Sequence, residues 1–180
     1  MTLNSSNKVR LADRVDCFNL DGRDFLRQVV IPDVARRIRQ EASSAIAKRE
    51  FHVVMNLPAI AIEFLDVLPG CMEEEDLSSC GRAEGGDGVG GEAVEEEKEE
   101  IPDFFLTVYC YCFSKAEDVV GDTRERVEAV LGTKLGDDVC QIRDVRNVAP
   151  NKIMMLAKLS LNSQFLRGNS ESLPKRQRLC

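Results

Sequence analysis

The sequence predicts an α/β fold with a doubly wound sheet that ends in an antiparallel hairpin. Short apolar runs typical of strands alternate with longer stretches in which apolar residues recur at helical spacing. The run 104–113 is apolar almost throughout, as in a central strand that is covered on both faces. The last two runs, 139–148 and 152–161, are separated only by residues 149–151 with a proline at their centre, which indicates a hairpin.

The first half of the chain contains two strand–helix units. Residues 15–20 form the first predicted strand, and a helical pattern follows from about residue 24 to residue 48. Pro32 interrupts or restarts this helix, because proline removes a helical hydrogen bond. A second strand covers residues 51–56. The helix after it carries the apolar residues Ile60, Ile62, Phe64, Leu65 and Leu68.

The second half continues the alternation and completes a single domain. After the strand at 104–113, residues 116–131 form a charged amphipathic helix that Gly132 ends. At 180 residues the chain is long enough for one domain with a sizeable core, which we assign to residues 1–161. The remaining residues, 162–180, are predicted to be a flexible polar tail.

An acidic insertion dominates the charge of the chain. The formal net charge is −7, but residues 71–100 contain twelve acidic and two basic residues, a local balance of −10. The rest of the chain is therefore +3 (−7 + 10), which is compatible with a nucleic-acid partner. This segment also contains a glycine-rich run, so it cannot bury enough apolar surface to offset the entropy of ordering. We predict a disordered surface insertion at 70–100, and an acidic docking segment is the alternative.

Composition argues against several classes of site. No apolar run approaches 18 residues, and no signal-peptide pattern is present, so neither a membrane span nor a secreted protein is expected. The seven cysteines are odd in number and form no CxxC pair, which indicates reduced thiols. Cys110 and Cys112 share one face of a strand as small core residues. The single histidine, His52, lies inside a strand pattern, so no metal site is expected.

Polar residues follow two of the predicted strands. Asn56 ends the second strand, and Pro58 suits the first turn of the next helix, where its missing N–H costs nothing. Asp21 and Gly22 follow the first strand, 35 residues before Asn56, about one strand–helix–strand unit away. A right-handed crossover places both at the carboxyl edge of the sheet, where α/β folds bind ligands. Ordinary turns explain each motif equally well.

Four segments carry a family resemblance. Asn56-Leu-Pro-Ala-Ile-Ala61 resembles the Asn-Leu-Pro-x-x-Ala motif of tRNA guanine-37 N1-methyltransferases, and Phe18-Asn-Leu-Asp-Gly-Arg-Asp-Phe25 resembles their upstream acidic motif. Tyr111-Cys-Phe-Ser-Lys115 is similar to their next strand end, and residues 145–152 are similar to their closing hairpin. The matches run in order from about residue 15 to residue 161. The resemblance therefore implies a partial Rossmann-like class I methyltransferase sheet, strands 3 to 7 of the family sheet.

The resemblance also implies a cofactor, a substrate and site residues. The family transfers a methyl group from S-adenosylmethionine to N1 of the guanine that follows the anticodon. By resemblance, Asp21 and Gly22 flank the adenine of the cofactor. By resemblance, Asn56 and Pro58 also belong to the cofactor site, and Asn56 lies between the cofactor and the target guanine and orients that base. A cytoplasmic or nuclear location follows from the resemblance, with a mitochondrial pool as a further expectation.

Other parts of the family pattern are not found in this chain. The glycine-rich cofactor loop, the ribose-binding acidic residue, the general base and the tRNA-binding N-terminal region of the family all precede the matching part. The resemblance thus implies a C-terminal part of the catalytic domain, in the family sheet order 3-2-1-4-5-7-6. The strand at 15–20 then lacks its neighbours, and the strand at 51–56 has an exposed edge. Full activity is expected to need the N-terminal half.

Two alternatives to an enzyme stay open from the sequence, a binding fragment and a fragment with no function. Lys115, Arg143, Arg146 and Lys152 are candidates for contacts with tRNA phosphates, although solvated surface charges are the simpler reading. The chain could then be a non-catalytic fragment that binds tRNA or a partner. A fragment with no independent function is the third alternative.

Overall fold

The computed structural model describes residues 15–40, 49–72 and 104–168. Helix α1 (Gly22–Phe25) continues through a π-helical turn (Leu26–Val30) into α2 (Ile31–Gln40). Strand β1 (Arg49–Met55) is followed by a 3-10 helix (Ala61–Val67). The later elements are β2 (Phe104–Ser114), α3 (Val119–Leu131), β3 (Cys140–Ala149), β4 (Lys152–Asn162) and α4 (Ser163–Leu166).

The described strands form one four-stranded sheet in the order β1-β2-β4-β3. Strand β1 pairs in parallel with β2, β4 is antiparallel to β2, and β3 is antiparallel to β4. This is the order 4-5-7-6 that the family resemblance implies for the last four strands. The α/β fold class and its partial Rossmann-like sheet are therefore confirmed.

The core lies on one face of the sheet. Alternate side chains of β2 have at most 1% of their surface exposed, and they pack with apolar residues of the 3-10 helix, α2 and α3. These β2 residues are Phe104, Leu106, Val108, Cys110 and Cys112. The predicted core position of the two cysteines is confirmed, and burial raises the pKa of the Cys110 thiol to about 12.

The opposite face of the sheet is only partly covered. Tyr109, Tyr111 and Phe113 of β2 are half-buried there, and Val54 of β1 is 65% exposed. Leu156 pairs with Tyr111 and is buried, but it does not belong to the core cluster on the other face. The sheet thus has one packed face and one open face in the described part of the chain.

Two predicted elements of the first half are corrected. Residues 15–20 form no strand; Val15, Phe18 and Leu20 are exposed, because none of the strands that the structure describes lies beside them to pair with. Pro32 does not interrupt the helix. The π-helical turn lies directly before it, and the Ile31 N–H donates to the Leu26 carbonyl, five residues back. This wider turn accommodates the proline ring, and the helix continues to Gln40.

The second half follows the prediction closely. Helix α3 ends at Gly132, which has a left-handed backbone with φ of 70°, and the β3–β4 hairpin turns at 150–151. The ordered chain extends past the predicted boundary at 161, because Phe165 and Leu166 of α4 are buried in the core. Most of the predicted insertion at 70–100 and residues 169–180 of the predicted tail lie outside the described residues, as does the helical pattern after Gln40.

Three general properties hold for the described residues. None of their helices is both long enough and apolar enough to cross a membrane. None of their cysteines forms a disulfide. Within the same ranges, no group of three or more histidine, cysteine, aspartate or glutamate residues is placed to hold a metal ion.

Candidate functional site at the carboxyl edge of the sheet

Asn56 lies where the parallel part of the sheet ends. Met55, the last residue of β1, is buried and pairs with Cys110, whereas β2 continues to Ser114. Asn56 and Leu57 therefore leave the sheet beside the carboxyl end of β2, and both are exposed. The Asn56 side chain makes no hydrogen bond with any described residue, so its amide can both donate to and accept from a ligand.

Main-chain hydrogen bonds hold the loop that carries Asn56. The Leu57 carbonyl accepts from the N–H groups of Ile60 and Ala61 at 3.0 and 2.9 Å. The Pro58 carbonyl accepts from the Phe113 N–H at 3.1 Å, which ties the loop to β2. Pro58 lies in the turn that leads into the 3-10 helix at Ala61, close to its predicted place at a helix start. The loop is thus fixed on both sides.

Asp21 and Gly22 lie at the start of α1. One carboxylate oxygen of Asp21 accepts from the Arg23 N–H at 2.9 Å, and the Asp21 carbonyl accepts from the Phe25 N–H at 2.8 Å. A Cβ atom on Gly22 would lie 2.5 Å from the Phe64 ring. Glycine at this position therefore allows α1 to pack closely on the 3-10 helix. This contact connects the two segments that the sequence singled out.

Arg23 reinforces the same contact and was missed by sequence reasoning. Its Nε donates to both carboxylate oxygens of Asp66 at 3.0 Å, and its Nη2 donates to the Glu63 carbonyl at 3.0 Å. Its guanidinium carbon lies 5.1 Å from the centre of the Phe64 ring. The hydrogen bond that Arg23 donates to the Asp66 carboxylate raises the pKa of Arg23. Because the partners are 40 or more residues away in sequence, no local pattern could have revealed them.

Basic side chains border the same edge of the sheet. Ile153 pairs with Ser114, so the β3–β4 turn lies at the carboxyl end of β2, next to Lys115. Lys152 places its Nζ 3.9 Å from the centre of the Phe113 ring, whose N–H is bonded to the Asn56 loop. A cleft of about 400 Å³ lies between Lys115 and the turn. An exposed amide, an aromatic ring and two cations are thus grouped at one edge.

The other two predicted basic residues lie on the outer strand. Arg146 pairs with Met154 near the turn, whereas Arg143 pairs with Leu156 further along β3. Both side chains are exposed, and neither belongs to an ion pair within the described residues. Arg146 can extend the basic edge, and Arg143 lies towards the middle of the open face.

His52 does not reach the edge of the sheet. It precedes Asn56 by four residues in β1, which places it about 13 Å away at the rise of an extended strand. Its ring lies 5.9 Å from that of Tyr109 on the open face. His52 is therefore not placed to exchange a proton with a base held at Asn56.

Several curated proteins similar to this chain carry the same name. The chain is 37% identical over 161 residues to the tRNA (guanine(37)-N(1))-methyltransferase of Xenopus tropicalis. It is 36% identical over 169 residues to the protein of that name from Mus musculus, and 33% over 167 residues to the one from Homo sapiens. These matches cover 89%, 93% and 92% of the chain. The resemblance that the motifs predicted is confirmed.

The match concerns only part of these relatives. The chain spans 26% of the Xenopus tropicalis protein, 28% of the Mus musculus protein and 27% of the Homo sapiens protein. No family profile matches the chain, and no solved structure matches it. The chain is therefore related to one part of these methyltransferases, along nearly its whole length.

Proposed function

We propose that this chain is part of an enzyme that transfers a methyl group from S-adenosylmethionine to N1 of guanine 37 in tRNA. The observation that carries the proposal is the similarity to methyltransferases of that name along 89% or more of the chain. The site geometry supports it, because Asn56 is an exposed amide on a restrained loop at the edge where α/β sheets bind ligands.

Asn56 is the residue that we assign to the target base. A guanine edge offers both donors and acceptors, and a single amide can pair with one of each. Two carbonyls of the same loop, those of Leu57 and Pro58, are fixed by hydrogen bonds, so the backbone that carries the amide is held without help from the substrate. Such a pre-organised contact favours the reactive orientation of the base.

The start of α1 is where we place the adenine of the cofactor. When bound, S-adenosylmethionine supplies an activated methyl group. One oxygen of the Asp21 carboxylate is engaged by the Arg23 N–H, and the carboxylate retains further acceptor positions for an exocyclic amine. Gly22 has a packing role beside the cofactor role that the resemblance implies. The space beside it is filled by Phe64, so the glycine sets the position of the helix.

Methylation of N1 also requires removal of its proton. A positioned general base is worth roughly 10²–10⁴-fold in rate. His52 is too far from Asn56, and Asp24 lies exposed in the first turn of α1. We therefore assign the general base to a part of the enzyme outside the described residues.

A further polypeptide segment of the enzyme is the partner that we propose for the open side of the sheet. Strand β1 is the terminal strand of the described sheet, and parallel strands are usually covered on both faces. A cleft of about 420 Å³ runs between this strand and the first helices, lined by apolar side chains that include Phe18, Phe25 and Phe51. A strand added at β1 would cover this cleft, and a helix on the open face would cover Val54.

The basic edge is the surface that we assign to tRNA. Lys115, Lys152 and Arg146 lie around the turn next to Asn56, and Arg143 extends the surface along β3. Phosphate contacts position a nucleic acid without reading its sequence, so these residues complement the base contact at Asn56. They also support the alternative function, a non-catalytic tRNA-binding fragment, because they need no cofactor.

A chimera tests the proposal. This chain would replace the matching segment of the Xenopus tropicalis methyltransferase, and methyl transfer to tRNA carrying guanine or adenine at position 37 would be measured. We expect activity with guanine only, and a loss of about 100-fold in kcat with Asn56→Ala. Gln141→Ala, an exposed amide at the start of β3, is the matched control and should leave kcat unchanged.

Each outcome of this experiment decides one question. A folded chimera that neither binds S-adenosylmethionine nor methylates tRNA would overturn the proposed activity. No methyl transfer, together with tRNA binding that Lys152→Ala weakens, would favour the non-catalytic alternative. Full activity in Asn56→Ala would remove Asn56 from the reaction while leaving the activity assigned.

A further inference from the structure

Arg23 connects the two halves of the candidate site. Its main-chain N–H donates to the Asp21 carboxylate at 2.9 Å, so it helps to orient the side chain assigned to the adenine. Its guanidinium reaches across to the 3-10 helix, where it bonds the Asp66 carboxylate and the Glu63 carbonyl. One residue therefore contacts both segments.

The 3-10 helix continues this connection to Asn56. The Ala61 N–H at its start donates to the Leu57 carbonyl, directly after Asn56. Its buried residues, which include Ile62 and Leu65, anchor it in the core. A displacement of α1 relative to this helix would thus change the separation between Asp21 and Asn56.

The interaction is more specific than stability alone would require. The side chains of Arg23 and Asp66 are 33% and 41% exposed, and ion pairs of such exposure contribute little to folding. Yet the guanidinium uses three different contacts, namely a carboxylate, a carbonyl and the face of the Phe64 ring. Lysine could not reproduce this planar arrangement of donors.

We propose that Arg23 is a positioning residue that holds Asp21 and Asn56 at the separation needed by cofactor and guanine together. This inference rests on the proposed methyl transfer, because it assigns Arg23 a role in that same site. Arg23 itself touches neither substrate nor cofactor in this role. It acts through Asp66 and the 3-10 helix.

The test compares two ion pairs in the chimera described above. Arg23→Lys and Asp66→Asn would each be measured alone and combined. Arg124→Lys with Asp137→Asn is the matched control pair, because the Arg124 guanidinium also bonds a carboxylate, at 2.7 Å, and a main-chain carbonyl. The measurements are kcat, the Kd for S-adenosylmethionine by calorimetry, and the thermal midpoint. The thermal midpoint separates a positioning effect from loss of folding.

We expect Arg23→Lys to weaken cofactor binding and lower kcat, each by about tenfold, because misplaced groups lose rate steeply. The thermal midpoint should fall by no more than about 4 °C. The double variant should be no worse than the single ones, since the contact is already lost. The control pair should change neither kcat nor cofactor affinity.

Two kinds of failure can be told apart. Unchanged kcat and cofactor affinity in Arg23→Lys, or fully additive effects of the two substitutions, would overturn the positioning role while the unmutated chimera stays active. An unmutated chimera that is folded but inactive would instead overturn the proposed function. Glu in place of Asp66 keeps the carboxylate, so partial recovery in Asp66→Glu would support the role further.

Discussion

The four-stranded sheet has β1 at one end and the β3–β4 hairpin at the other, and different kinds of contact stabilise these two ends. At the β3–β4 end, the partners are close in sequence: Asp118 caps α3 by accepting from the Gly121 N–H, and a short turn joins the two strands. At the β1 end, the decisive contacts join residues 40 or more apart, as between Arg23 and Asp66. The hairpin end is thus stabilised locally, whereas the end with the candidate site depends on distant parts of the chain.

Two carboxylates illustrate the difference. Glu128 accepts from the Lys134 Nζ at 2.7 Å and from the Leu135 N–H at 3.1 Å, which closes the loop that follows its own helix. Asp66 instead accepts from Arg23, a residue of a different helix. A local contact can form before the rest of the fold, whereas the Asp66 contact requires the tertiary arrangement.

The largest difference in stability should be between a residue of the packed face, at the hairpin end, and one of the open face, at the β1 end. Leu159 is fully buried on β4, and Leu159→Ala should lower the free energy of unfolding by about 2–5 kcal/mol, because it leaves a cavity in the core. Val54 is 65% exposed on β1, and Val54→Ala should change it by less than about 0.5 kcal/mol. Urea titration measures both. A loss in Val54→Ala as large as that in Leu159→Ala would contradict the exposure of Val54 on the open face.

A smaller effect is expected from two glycines. Gly22→Ala places a Cβ 2.5 Å from the Phe64 ring, so we expect a loss of about 1–3 kcal/mol in the free energy of unfolding. In Gly132→Ala the new Cβ meets no atom within 4 Å, but alanine must adopt the left-handed φ of 70°. We expect this strain to lower the free energy of unfolding by about 1 kcal/mol. Adding Phe64→Leu to Gly22→Ala should recover part of its loss, whereas adding it to Gly132→Ala should recover none. Equal recovery in the two glycine variants would contradict the close packing of Gly22 against Phe64.

The smallest effect concerns the local carboxylate and pH. The hydrogen bond from Lys134, and after it the one from Leu135, lowers the pKa of Glu128 below the ordinary glutamate value of 4.5. Its contribution to stability is therefore present above pH 4.5 and is lost as the pH falls through the lower folded-state pKa. Glu128→Gln should cost about 1 kcal/mol at pH 7.

The pH dependence of that difference is the measurement. Unfolding in urea at pH 7 and at pH 3 should show the difference between the parent chain and Glu128→Gln shrinking at the lower pH. Glu117→Gln, an exposed residue before α3, is the control and should cost less than about 0.5 kcal/mol at pH 7. A difference that grew towards pH 3 would mean that the neutral form of Glu128 is the one stabilised.

Local patterns in the sequence determined much of this protein. Gly132 marks the end of α3, the proline between the last two strands marks the hairpin, and the apolar run at 104–113 marks the central strand. These signals work because a turn, a helix end and a two-sided core strand depend mainly on their own residues. The position of Asn56 at a strand end followed from the same reasoning.

Only the tertiary structure decided the rest. The pattern at 15–20 is that of a strand, but a strand needs a neighbour to accept its hydrogen bonds, and none of the described strands lies beside it. The contact of Gly22 with Phe64 and the bridge from Arg23 to Asp66 join segments that no short-range pattern relates. Sequence thus placed polar residues at strand ends, whereas packing between distant segments decided which of them are held together.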